Sequence, residues 1–166
     1  MFLLRPFRLF AKALFVDATP KQMAFGLAMG VLVGLVPKGN LLAVLLMMIL
    51  CSLRVNLGIG LMAVFVTSWV GMLLDSVTHQ IGSVLLKNEI LRPLWTAMYD
   101  TVLFPWTDFN NTIVLGSFVL GLTVFAPVYF VSRPVFAKVV PRLTERVKKF
   151  KLVALLLGGE LTGKVC

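Results

Sequence analysis

Charge is scarce in this chain, and acid is scarcer than base. Of 166 residues only 14% are charged, 16 Lys or Arg against 7 Asp or Glu, where soluble domains carry about 25%. An ordinary soluble surface cannot be built at that density, and 59% hydrophobic residues with a mean hydropathy of +0.96 point to an integral membrane protein. His79 is the sole histidine, and the two cysteines are Cys51, inside an apolar run, and Cys166, the last residue. That supply excludes a Cys/His metal cluster and gives no disulfide framework, so no metal or cofactor is expected. The net charge of +9 would suggest nucleic acid in a soluble protein. In a chain this apolar it marks cytoplasmic flanks and anionic headgroups instead, and no nucleic-acid partner is expected. Arg5, Arg8 and Lys12 interrupt the first fifteen residues, which leaves no signal-peptide h-region.

What the chain has in abundance is apolar sequence, organised around residues 23–53. Gly26, Gly30 and Gly34 recur every fourth residue. On a helix they form one face without side chains, against which a second helix can lie closely. The run meets Pro37-Lys38-Gly39-Asn40, a helix breaker, and then resumes. Each arm is too short for the ~20 residues that a crossing needs. The pattern predicts a helical hairpin, either re-entrant with a polar tip or two short crossings.

Around it the chain reads as one membrane domain, 1–166. Residues 1–20 contain an amphipathic helix at 2–16, with Leu3, Phe7, Phe10 and Leu14 opposite Arg5, Arg8 and Lys12. Thr19-Pro20 starts the next helix. The membrane core, 21–132, holds the hairpin and two spans at 57–74 and 113–131, with a kink at Pro127. Between them come a short helix at 78–87, an interfacial helix near 89–103 and a turn at Pro105. Residues 133–166 are a basic tail, in which Pro134 and Pro141 delay a further amphipathic helix and 152–157 is apolar but short. The fold class is therefore all-α and integral to a membrane, flanked by interfacial helices.

Base dominates before the hairpin and after the last span. Between the spans Lys87 and Arg92 face Asp75, Glu89, Asp100 and Asp108. The positive-inside rule puts both termini in the cytoplasm and residues 75–109 outside.

The run PKQMAFGLAMGVLVGLVP, from Pro20 to Pro37, resembles the bacterial membrane family catalogued as domain of unknown function 2062, in its short single-domain branch. Arg54-Val55-Asn56 resembles that family's R-x-N step, and the resemblance covers residues 15–90. The family often has Asn-Pro in the next span, where this chain has Ser68-Trp69. The resemblance implies a Gram-negative inner-membrane protein. It implies no activity, and its association with envelope and lipid-related neighbours is a hint only.

Three groups of residues are candidates for chemistry. Lys38, Asn40 and Arg54 could bind an anionic group, since a cation beside a membrane segment usually serves a partner, a path or a headgroup; the alternative is that Lys38 snorkels. Gly26, Gly30 and Gly34 serve helix packing. Asp75 and His79 are an acid–histidine pair at helical spacing, without a nucleophile or a metal set beside them. No catalysis is expected. The expected function is a non-enzymatic anchoring or gating subunit of a cell-envelope, lipid-moving assembly. Its partners would be membrane lipids with anionic headgroups, and an envelope protein or a second copy. The alternatives are a self-contained homo-oligomeric scramblase, transporter or channel, and a membrane enzyme acting on lipid.

Overall fold

A computed structural model of the chain describes residues 19–149, with side chains to residue 141. The helix expected at 2–16 and the apolar piece at 152–157 lie outside the described residues. Those described form six α-helices and a 3-10 turn, with no strand among them. In order they are α1 (Pro20–Leu35), α2 (Leu41–Ser52), α3 (Leu57–Leu73), α4 (Asp75–Leu86), α5 (Arg92–Tyr99), the 3-10 turn (Phe104–Thr107) and α6 (Thr112–Lys149).

Local chemistry sets the helix starts. Thr19 and Gln22 form a reciprocal capping box at α1, with Pro20 in the first turn, where a missing N–H costs nothing. Asn40 and Asn56 cap α2 and α3, their side-chain oxygens accepting from Ala43 N at 2.8 Å and Ile59 N at 3.0 Å. The break at 36–40 falls where the sequence placed it, and Gly39 adopts φ 107° there.

α1 is the central helix. Its Gly26 faces Asn56, Gly30 faces Gly60 and Ala63, and Gly34 faces Val64 and Thr67. Partner numbers rise with glycine numbers, so α1 and α3 run parallel and α2 carries the chain back between them. A Cβ on Gly30 would fall against the Gly60 carbonyl oxygen and 2.7 Å from Ala63 Cβ. On the other side α6 runs antiparallel to α1, with Gly121 against Leu32 and Phe125 and Tyr129 edge-on to Phe25. The two arms of the expected hairpin touch each other far less than α1 touches α3 and α6. The side-chain-free face of α1 is turned to α3, and closest approach follows that face.

The expected first span differs in form. α3 ends at Leu73, and the chain bends by 77° straight into α4. α4 crosses the start of α6 through glycines on both helices: Gly82 lies against the Thr112 carbonyl, and Gly116 against the Thr78 carbonyl. The helix expected at 89–103 is only α5, which Pro93 suits as a first-turn residue. An aromatic series, Tyr99–Phe104–Phe109–Phe118, ties the following loop to α6 with ring centroids 5.2–5.5 Å apart. The Tyr99 hydroxyl accepts from Asn110 N at 2.6 Å. Burial pushes its pKa up from the ordinary value, the Asn110 bond works against that, and the Asp108 charge adds to the rise.

The second span is longer than expected. Instead of a span at 113–131 followed by a separate tail helix, α6 is one helix of 38 residues that runs through Pro127, Pro134 and Pro141. These prolines are seven residues apart and therefore share a helix face. All three are exposed, so each carbonyl that a ring deprives of its donor lies away from the core. Among the described residues one helix, Thr112–Pro141, is long and apolar enough to cross a membrane, and the bent pair α3–α4 passes the same test if taken as one. α1 and α2 are apolar but shorter.

The contact at Gly30 yields a first prediction. Gly30→Ala must displace α3 backbone and should lower stability by about 1–3 kcal/mol. Gly60→Ala meets the flexible tip of Leu50 at 3.1 Å and the Gly26 carbonyl oxygen at 3.3 Å, a smaller overlap partly offset by about 1 kcal/mol of helix propensity, so it should cost clearly less than Gly30→Ala. Thermal unfolding of both variants in detergent checks this; equal melting points would refute the close contact.

Candidate functional site

The break after α1 opens one side of a cavity of about 360 Å³. Its walls are the 34–38 stretch, Ser68 and Gly71 on α3, Asp75 at the start of α4, and Asn111 and Ile113 before and in α6. The ends of α1 and α3 and the starts of α4 and α6 therefore converge on a single polar space.

Lys38 is held there by the end of α1. Its Nζ donates to the carbonyl oxygens of Val33 at 2.7 Å, Gly34 at 3.2 Å and Val36 at 2.6 Å. An ammonium has three N–H groups, and all three are engaged. The last turn of a helix leaves carbonyls without partners and carries partial negative charge, so a lysine folded back over it serves both needs. Neither simple snorkelling nor an open anion site describes this arrangement. Asn40 is buried, its Nδ2 donating to Pro37 O at 3.0 Å and its oxygen capping α2. Both residues thus shape the turn.

Arg54 does not join them. It is exposed in the α2–α3 loop, beside Asn56, whose N–H reaches Gln22 O. That places it at the start of α1, while Lys38 is at its end, and α2 separates them by roughly 18 Å at 1.5 Å per residue. The Asp75–His79 pair is not formed either. His79 Nδ1 lies 2.6 Å from Thr112 Oγ1 on α6, because α4 packs on α6 by the glycine crossing and turns His79 towards it. Asp75 faces the cavity instead, and its carbonyl accepts from Thr78 Oγ1. Gly26, Gly30 and Gly34 face α3, and Gly34 also stands at the cavity edge.

Ser68, Gly71 and Asn111 were not singled out for this site from sequence. Asn56, Gly60, Ala63, Thr67 and Gly71 are small or polar at helical spacing, and that stripe is the readable signal for the face of α3 turned inwards. Asn111 offered no such signal, since it reaches the cavity only through the packing of α6.

Chemically, the cavity offers a fixed positive charge, a carboxylate and the Ser68 hydroxyl, which donates to Val64 O at 2.7 Å and keeps its lone pairs. It can host a small polar group. Among the described residues no group of three or more His, Cys, Asp or Glu could hold a metal ion, and every buried side-chain nitrogen and oxygen has a hydrogen-bond partner.

These features define a small all-helical protein with a packed glycine-lined core, at least one helix fit to cross a membrane, and a polar cavity at one end. The chain belongs to the bacterial family described as "Uncharacterized protein conserved in bacteria (DUF2062)", whose pattern matches residues 4–144. It is 26% identical over 122 residues to an "Uncharacterized protein" of Treponema pallidum (strain Nichols), covering 74% of this chain and 75% of that one. No solved structure matches it.

The lysine cap yields a second prediction. Lys38→Met should cost about 1–3 kcal/mol, because it strips charged hydrogen bonds from the end of α1. Asp75→Asn, at an exposed carboxylate, should stay within about 0.5 kcal/mol. Melting curves of the two variants compare them; a Lys38→Met protein that melts like its parent would dismiss the cap.

Proposed function

We propose that the chain is a non-enzymatic, multi-pass protein of the bacterial inner membrane, acting as an anchoring or gating subunit of an envelope assembly. The observation that carries this reading is the distribution of side chains on the outside. α3 turns its small residues inwards and exposes Leu57, Leu61, Phe65, Trp69 and Leu73. α2 exposes Val44, Leu45, Met48 and Ile49, and α6 exposes Leu122, Phe130 and Val131. Apolar patches of this extent belong against lipid or another protein. Charge sits at the ends. Lys21, Arg54 and Arg133 gather where α1 and α3 begin, and Asp75, Glu89, Asp100 and Asp108 fall between the end of α3 and the start of α6. By the positive-inside rule the first end is cytoplasmic. Among the described residues α1 fills the centre of the bundle between α3 and α6, which suits a subunit better than a complete transporter.

A second reading, a homo-oligomeric transporter or scramblase, draws on the cavity that holds Lys38 and Asp75. Purification from native membranes separates the two: a foreign envelope protein in fixed stoichiometry supports the subunit, and a ring of copies supports the transporter. For orientation, Thr101→Cys and Lys138→Cys are made in a chain freed of Cys51 and Cys166. An impermeant maleimide should label Thr101→Cys in intact spheroplasts and Lys138→Cys only after permeabilisation. Equal labelling from outside would reverse or remove the assignment.

A further inference from the structure

At the end of the bundle opposite Lys38, a groove of about 620 Å³ lies between the start of α1 and the middle of α6. Pro20, Lys21, Phe130, Arg133, Pro134 and Ala137 line it. Its shape follows from Pro134, whose ring blocks the regular helix bond to Phe130 and leaves the wall open there. Lys21 and Arg133 are exposed, and among the described residues neither has a hydrogen bond or ion pair. Among the described residues no acidic side chain lines the groove. The first turn of α1 is already served by Thr19 and Gln22, so the attraction for an anion comes from the two side chains and not from the helix end. The remaining wall, Phe130, Pro134 and Ala137, is apolar.

We propose that this groove binds an anionic glycerophospholipid, its phosphate between Lys21 and Arg133 and an acyl chain along Phe130, Pro134 and Ala137. Arg133 can hold two phosphate oxygens in its planar fork, while Lys21 adds a point charge. The two cations Lys21 and Arg133, with no acid among the described groove residues, repel the ammonium of phosphatidylethanolamine, so the site favours a headgroup of net negative charge such as phosphatidylglycerol. The apolar wall makes the lipid, not free phosphate, the ligand. This site rests on the membrane reading above and gives it a specific lipid contact on the cytoplasmic side, at residues other than Lys38 and Arg54.

The test is native mass spectrometry of the full chain in detergent, with phosphatidylglycerol and phosphatidylethanolamine added in equal amounts. Wild type should retain phosphatidylglycerol preferentially. Retention should fall roughly fivefold for Lys21→Gln or Arg133→Gln and about 30-fold for both, as expected for two interfacial cations. Lys87→Gln with Arg92→Gln, between the two spans, should change nothing, and millimolar inorganic phosphate should not displace the lipid. Equal retention of the two lipids by wild type, unchanged retention by the double variant, or displacement by inorganic phosphate would overturn the proposal. Alkaline carbonate extraction of wild-type membranes separates this from failure of the broader reading. A chain released by carbonate is not integral, whereas one that stays in the membrane without preferring phosphatidylglycerol loses only the groove.

Discussion

Gly30 has no room for a side chain, because the Gly60 carbonyl of α3 stands where a Cβ would be. That backbone approach sets the rest of the molecule. It fixes α1 and α3 as parallel neighbours, which obliges α2 to return the chain over the length of α1. It brings Gln22 beside Asn56 at one end and Leu35 beside Gly71 at the other. The opposite side of α1 is then free for α6, and the 77° turn into α4 lets a second glycine crossing clamp the start of α6. Dispersion at such contacts is strong because backbone meets backbone with no side chain between, and it does not depend on water to drive it.

A core built this way has a cost at its ends, where helix carbonyls and N–H groups run out of partners. The chain settles it locally. Asparagines and a capping box serve the helix starts, and Lys38 folds back onto the last carbonyls of α1. α6 takes its three prolines on one exposed face, so the lost hydrogen bonds fall outside the packed side. These prolines open grooves along α6 at Pro127 and at Pro134. Interruption of the backbone ladder and the openings in the surface are thus the same feature. On the proposed reading, that is where lipid meets the protein.

The polar residues divide in a way that spacing along the chain hides. Lys38 and Arg54 look like neighbours across a short hairpin, yet the return path of α2 sends them to opposite ends. Asp75 and His79 are one helical turn apart and should meet, yet α4 lies on α6 and His79 bonds to Thr112. Lys21 and Arg133, more than a hundred positions apart, come to share a groove. Each outcome follows from which helix face is buried, and the glycines decide that.

By itself the sequence determined the all-helical class, the breaks at 36–40 and at the start of α3, the helix start at Thr19-Pro20, the cap at Asn56, and the family. These depend on apolar periodicity, on Pro and Gly, and on side chains that bond within three residues of themselves, all of which are local. It also marked Gly26, Gly30 and Gly34 as a packing face. Only the tertiary structure decided that this face meets α3 and not α2, that α6 continues through Pro134 and Pro141, and that the polar cavity joins Lys38 to Asp75, Ser68 and Asn111. A bare glycine face does not name its partner, and a proline's cost depends on whether its face is packed or open. Both are settled by contacts between residues far apart in the chain, which a one-dimensional pattern does not carry.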